Sequence, residues 1–306
     1  MRKFLVSICG ATGIGKTKWA IELARYYNTE VLSADSRQFY REMQIGTAVP
    51  SPEELEAVPH SFIQHKSVKE RYSAGDYQQD ALKLISEKFR TKDLLVLVGG
   101  SGLFLDAITK GLDIFPEVAP GVRESLEIQY AAEGIQVLQK QLLLLDPAYY
   151  QSVDIENPRR LIRALEVCIS SGTPFSDYLG KRKSPEGFIQ IPLGIDAPRD
   201  VIYRRIEERV DQMIAQGLLE EVTGLLPYRE LNALQTVGYQ ELFAYLDGHT
   251  DFETAVENIK RNTRRFAKRQ ATWFRKDSEI QWIPFDAPLE TAIAYIDNQI
   301  QNFNAG

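Results

Sequence analysis

The chain has 306 residues, 44% of them hydrophobic and 25% charged, with a formal net charge of −6. That length holds one large domain or a domain with a sizeable insertion. No apolar run is long enough to cross a bilayer, so a cytoplasmic protein away from the membrane and without a cleavable signal is expected. Two cysteines, Cys9 and Cys168, read as reduced core residues, and His60, His65 and His249 lack zinc-ligand spacing.

Phe4 to Cys9 has the pattern of a buried strand and feeds directly into Gly10-Ala11-Thr12-Gly13-Ile14-Gly15-Lys16-Thr17. Glycines at both ends of this loop let backbone N–H groups turn inward on an anion. A helix over Lys16 to Tyr27, with Trp19, Ala20, Leu23, Ala24 and Tyr27 on its apolar face, adds the positive end of its dipole. Lys16 supplies mobile positive charge, and the Thr17 hydroxyl is placed to ligate Mg²⁺. The plainer reading, a Gly-rich turn with a surface lysine, fits the flanking strand and helix less well.

Glu30 to Ala34 forms a second strand ending on Asp35, within Ser33-Ala34-Asp35-Ser36-Arg37-Gln38-Phe39-Tyr40. A carboxylate at such a tip can hold Mg²⁺, accept a substrate proton or cap the next turn, and the neighbouring phosphate loop favours a functional role. Ser61 to Gln64 reads as a short strand, Tyr77 to Phe89 as a helix, and Leu94 to Val98 as a buried strand running into Gly99-Gly100-Ser101-Gly102. This alternation predicts an α/β fold, a P-loop NTPase-like parallel sheet with helices on both faces. Ligands then gather at the carboxyl ends of the strands, where Gly13, Asp35 and Ser101 fall. An ordinary ATPase or GTPase would place an Asp at the end of a later buried strand. Here small residues either make room for a substrate beside Ser101 or permit close helix packing.

Pro116 and Pro120 break the alternation, and helical periodicity alone runs from Val122 to about Leu179, including the Leu-rich run Leu138 to Leu145. Asn157-Pro158 is a helix start. Strand character returns at Phe188 to Ile195, so residues 119–184 are expected to form a helical insertion domain in a catalytic core made of 1–118 and 185–306. Arg159, Arg160 and Arg163 crowd the start of the helix that Pro158 opens, where the macrodipole opposes cations, and an anion is expected there. On a helix from Val201 to Gly217, Arg205 and Arg209 share a face beside Arg204. They could complete a diphosphate clamp or form a surface charge ladder with Glu207 and Glu208.

Asn258 to Arg275 is a further helix, and from Lys260 to Lys276 there are eight basic residues and no acid. Removing them leaves 28 Lys and Arg against 42 Asp and Glu, a balance of −14 for the rest of the chain. Ile259, Phe266, Gln270 and Trp273 recur at helical spacing and should pack inward. Arg261, Arg264, Arg265, Lys268 and Arg275 spread outward with no acid to pair along the helix, a pattern suited to a nucleic-acid backbone. Ile280 to Pro284 closes the sheet.

Together these residues resemble the tRNA dimethylallyltransferases, or tRNA isopentenyltransferases, of the bacterial type. The likeness spans essentially the whole chain. It rests on the phosphate loop, Ser33 to Tyr40, Ile45-Gly46-Thr47-Ala48, Pro59-His60, Tyr72-Ser73-Ala74-Gly75-Asp76 and Val98-Gly99-Gly100-Ser101-Gly102-Leu103. It continues through Asn157-Pro158-Arg159-Arg160, Arg163-Ala164-Leu165-Glu166, Val237-Gly238-Tyr239, Lys268-Arg269-Gln270 and Thr272-Trp273-Phe274-Arg275.

The resemblance implies transfer of the dimethylallyl group from dimethylallyl diphosphate to N6 of the adenosine immediately 3′ of the anticodon, in tRNAs reading codons that begin with U. It implies that Gly10, Ala11, Thr12, Gly13, Ile14 and Gly15 bind the prenyl diphosphate. Lys16, Thr17 with Mg²⁺, and Arg209 would neutralise the leaving group, Asp35 would take the amino proton, and Ser101 would sit beside the reacting centre. Contact with the anticodon stem-loop falls to Asp35, Ser36, Arg37, Gln38 and Ser101 around the extruded adenine, and to Arg123, Arg159, Arg160, Leu161, Ile162 and Arg163 of the insertion. Gly238, Tyr239, Lys268, Arg269, Gln270, Trp273 and Arg275 complete that set, and a monomer is expected. The family pattern has Lys where this chain has Val49, Thr at Ser101 and Tyr at Phe104; Ser101 keeps the hydroxyl, whereas Val49 loses a phosphate contact. Two alternatives stand beside this reading. One is a P-loop kinase of a small metabolite with Asp35 as base, the other a non-catalytic, nucleotide-dependent RNA-binding protein.

Overall fold

All seven residues of Phe4–Gly10 (β1) are buried, because β1 lies inside a parallel sheet covered on both faces. Alternate side chains divide between two cores. Leu5 and Cys9 enter one, while Phe4, Val6 and Ile8 enter the other. The computed structural model describes residues 2–305. Its chain forms two compact units, Met1–Thr109 with Pro185–Gly306, and Lys110–Ser184.

In the first unit β1 leads to Lys16–Tyr26 (α1), Val31–Ser33 (β2), Pro52–Ala57 (α2), His60–Ser61 (β3), Ala74–Lys88 (α3), Leu94–Val98 (β4) and Gly102–Thr109 (α4). The sheet runs β3-β2-β4-β1, extended on the far side of β1 by Ile189–Asp196 (β5) and Gln281–Pro284 (β6), with every pairing parallel. Arg199–Ala215 (α9), Leu218–Gly224 (α10), Tyr239–Leu246 (α11), Phe252–Phe274 (α12) and Leu289–Ala305 (α13) complete the unit, and the four helices that precede α9, Val122–Glu133 (α5), Ile135–Leu145 (α6), Pro147–Ser152 (α7) and Pro158–Ser171 (α8), belong to the second. α1 and α13 cover one face, and α3, α4 and α9 to α12 the other.

Three expected elements shift. The strand read at Ser61 to Gln64 ends at Ser61, because Phe62 and Gln64 turn to positive φ (64° and 48°). Phe62 thereby packs edge-on to Tyr77 and His65. α3 starts at Ala74, where Ser73 and Asp76 form a reciprocal capping box. α12 starts at Phe252, capped by Asp251, six residues before the basic run suggests.

The second unit is helical throughout its regular structure. Leu126, Leu138, Leu142, Leu161 and Leu165 form its core. Asn157 caps α8 by accepting the Arg160 N–H, with Pro158 in the first turn, as the sequence predicts. Both cysteines are free and buried.

Candidate active site

The loop between β1 and α1 is a turn of backbone donors held from outside. Gly13 and Gly15 adopt φ of 80° and 97°, which only glycine takes without strain, and Gly15 is the N-cap of α1. Gln270 of α12 accepts the Thr12 N–H at 2.8 Å, and Arg205 of α9 donates to the Ile14 carbonyl at 3.0 Å. Lys16 Nζ donates to the Ala11 carbonyl at 2.8 Å. Burial lowers the Lys16 ammonium to about 8, with Asp35 opposing that shift and Arg209 adding to it. Thr17 stands half-buried in the first turn of α1.

Asp35 follows the tip of β2. In the order β2-β4-β1 the two strand ends lie two spacings apart, about 9.6 Å. Its carboxylate acts electrostatically on both Lys16 and Arg209, the two cations of the loop side. Burial draws the Arg209 guanidinium below its usual range, and Asp35 counters this. Asp35 also caps its own turn, Oδ1 accepting the Arg37 N–H at 3.0 Å. The capping and functional readings of this residue therefore coexist. Ser101 Oγ accepts the Ser36 N–H at 3.1 Å and lies 3.0 Å from Ser36 Oγ, so the end of β4 is tied to the Asp35 turn.

The glycines of that β4 end do not clear space for a substrate. A Cβ on Gly99 would lie 2.4 Å from the Ala34 carbonyl oxygen, one on Gly100 2.4 Å from Gln270 Nε2, and one on Gly102 2.4 Å from the Trp273 indole. Protein atoms already occupy those positions, so close packing explains the glycines. A Gly100 Cβ would also lie 3.7 Å from Lys16 Nζ, which places the lysine beside the β4 end.

The helix α9 divides its arginines. Arg204 pairs with Glu208 as a surface ladder, Arg205 braces the loop, and the Arg209 guanidinium feels the charge of Asp35. On α12, Ile259, Ala267, Gln270 and Phe274 form the buried face, while Phe266 and Trp273 are 38% and 44% exposed. The inward reading of those two aromatics fails because the buried stripe runs through 259, 267, 270 and 274, one position away from each. Arg261, Arg265, Lys268 and Arg269 are exposed. Acids on the neighbouring α9 do meet part of the basic run: Arg264 bonds Glu207 and Lys260 pairs with Asp211. Arg275 pairs with Asp196.

Several residues assigned to tRNA by resemblance have other partners. Leu161 and Ile162 are core side chains of the helical unit, and Tyr239 is fully buried. Gln270 is spent between the loop and β4, donating from Nε2 to the Gly100 carbonyl at 2.8 Å. Gln38 Nε2 donates to the Thr47 and Ala48 carbonyls, and Arg37 donates to the Asn232 and Ala233 carbonyls. Gly238 takes φ of 95° before α11. Arg123 and Arg163 share the buried Glu166, two turns into α8, while Arg159 and Arg160 at the helix start are exposed and are not bound by it. Glu221 of α10, which sequence reasoning passed over, accepts four hydrogen bonds from the 44–46 backbone and Tyr239. One of two adjacent glutamates in the first turn of a short helix carries no pattern that would single it out.

The model of the IPP transferase family matches residues 38–277. The chain is 53% identical over 300 residues to a tRNA dimethylallyltransferase of Christiangramia forsetii, covering 98% of this chain and 99% of that one. It is 48% identical over 306 residues to a tRNA dimethylallyltransferase of Flavobacterium johnsoniae, at the same coverage of 98% and 99%. Among solved structures it is similar to the full-length tRNA isopentenylpyrophosphate transferase of Bacillus halodurans, with 37% identity, a TM-score of 0.71 and 99% and 96% of the two chains covered.

Proposed function

The chain belongs to the IPP transferase family, and from that premise we propose how its residues carry out the transfer of a dimethylallyl group to tRNA. The protein is a tRNA dimethylallyltransferase. The observation that carries the reading of the site is the placement of Asp35 at a strand tip two places from the strand that feeds the phosphate loop, its turn tied through Ser36 to Ser101 at the β4 end beside Lys16.

The loop N–H groups, Lys16 and Arg209 bind the diphosphate of dimethylallyl diphosphate. As the allylic C–O bond breaks, the leaving oxygen gains charge, and fixed cations stabilise it without reorganising. The N6 lone pair of the adenosine 3′ of the anticodon forms the new C–N bond, and its proton passes to the Asp35 carboxylate. A base stacked in its loop cannot reach this centre, so it must be extruded. Ser36 and Ser101 line the turn that receives it.

Among the described residues no cluster of three carboxylate, imidazole or thiolate groups converges. The Thr17 hydroxyl, half-buried in the first turn of α1, would hold a divalent cation together with the diphosphate. When bound it supplies further positive charge against the leaving group. The exposed Arg159 and Arg160 of the helical unit, and the outer bases of α12, contact tRNA phosphates.

Incubation with Mg²⁺, labelled dimethylallyl diphosphate and unmodified tRNA tests this. Label bound to the adenosine 3′ of the anticodon is expected. Consumption of ATP with no label in tRNA would turn the assignment to a P-loop kinase.

A further inference from the structure

We propose that Glu221 is a positioning residue for the transfer, acting through the 44–48 turn on Asp35. The inference rests on the reading of Asp35 as proton acceptor.

The Glu221 carboxylate is saturated from one side. Oε2 accepts the N–H groups of Gln44 (2.9 Å) and Ile45 (2.7 Å), and Oε1 accepts the Gly46 N–H (3.0 Å) and the Tyr239 hydroxyl (2.6 Å). Three successive backbone N–H groups turned on one carboxylate make an anion-binding nest, filled here by the protein itself. Each of these bonds is charge-assisted. The buried Tyr239 ring closes the arrangement, since a Cβ on Gly46 would lie 2.6 Å from it.

The pinned turn then reaches the site through an unbroken set of hydrogen bonds. The Thr47 and Ala48 carbonyls accept from Gln38 Nε2 at 3.3 and 2.9 Å, Gln38 Oε1 accepts from Ser33 Oγ at 3.2 Å, and Ser33 Oγ accepts the Asp35 N–H at 3.3 Å. At its other end Glu221 sits on α10, two residues beyond α9, which carries Arg205 and Arg209. Glu221 thus ties the 44–48 turn, and through Gln38 and Ser33 the Asp35 turn, to the α9–α10 pair that carries Arg209. Its role is to fix the separation of Asp35 from Arg209. A shift of about 1 Å in such a spacing can cost on the order of 10²-fold in rate.

The test is steady-state transfer by the full chain, comparing wild type with Glu221→Gln, Tyr239→Phe, Gln38→Ala and the Glu221→Gln/Gln38→Ala pair. Glu221→Gln is expected to lower kcat by about 10- to 100-fold while the KM for dimethylallyl diphosphate stays within about twofold. The pair should be little worse than the worse single variant, because both changes cut one chain of contacts. Tyr239→Phe keeps the ring packing and should lower kcat at unchanged KM, which keeps the proposal testable if Glu221→Gln does not fold. Active wild type with unchanged kcat in Glu221→Gln or in Tyr239→Phe, or strictly additive losses in the pair, overturns the inference alone. Wild type that transfers no label overturns the functional reading and this inference with it.

Discussion

Gln270 takes the Thr12 N–H on its amide oxygen at 2.8 Å and gives its amide nitrogen to the Gly100 carbonyl at 2.8 Å, so one side chain of α12 joins the phosphate loop to the end of β4. Gln270→Ala would leave both backbone groups without their partner, at a cost of about 1–3 kcal/mol each where buried. The expected result is a KM for dimethylallyl diphosphate raised about 10-fold, with tRNA affinity nearly unchanged. An unchanged KM would remove Gln270 from the support of the loop.

Asp35→Asn keeps an oxygen to accept the Arg37 N–H, and so preserves the turn, but cannot take a proton at neutral pH. Single-turnover transfer is expected to fall by at least ~10² while tRNA binding persists. Full turnover in this variant would assign the proton elsewhere.

Lys16, lowered by burial to about 8, is charged below that pH and neutral above it in the free protein. Affinity for the diphosphate should be highest below pH 8 and fall as pH rises through it, since the loop then loses a cation that the bound anion needs. Titration calorimetry from pH 7 to 10 follows this directly. Lys16→Arg retains charge across the range and should bind with a flat profile; a slope surviving in that variant would trace it to another group.

His65 is lowered to about 4, first by burial and then by Lys66, within rings of Phe39, Phe62 and Tyr72. Neither ring nitrogen has a hydrogen-bond partner among the described residues. The native state therefore resists protonation that the unfolded chain accepts near 6.5, so its stability is complete above that pH and is lost as pH falls toward 4. Replacement by Phe should shrink the difference in urea midpoint between pH 7 and pH 4.5. A difference of the original size would show that carboxylates carry the acid transition.

What the sequence made legible were groups whose local pattern is the cause of their placement. The phosphate loop, the buried strands and Asn157-Pro158 are set by glycine turns, apolar runs and capping within a few residues. Gln270 and Glu221 act on backbone groups 170 or more residues away, and spacing along a helix says only that a face is inward, not what it meets. The bases of α12 divide for the same reason. No acid lies among them in the chain, yet Glu207 and Asp211 come from another helix.

That division makes the last expectation specific. Arg264 and Lys260 already hold acids of α9, whereas Arg261, Arg265, Lys268 and Arg269 face solvent on the outer side. If the outer four neutralise tRNA phosphates, each change to Gln should flatten the plot of log affinity against log salt by about 1. Arg264→Gln should leave that slope in place, because its charge is balanced within the protein before tRNA arrives. Equal loss of slope from Arg264→Gln and Lys268→Gln would mean that tRNA breaks the Glu207 pair, and no change from any of the four would return the outer face of α12 to solvent.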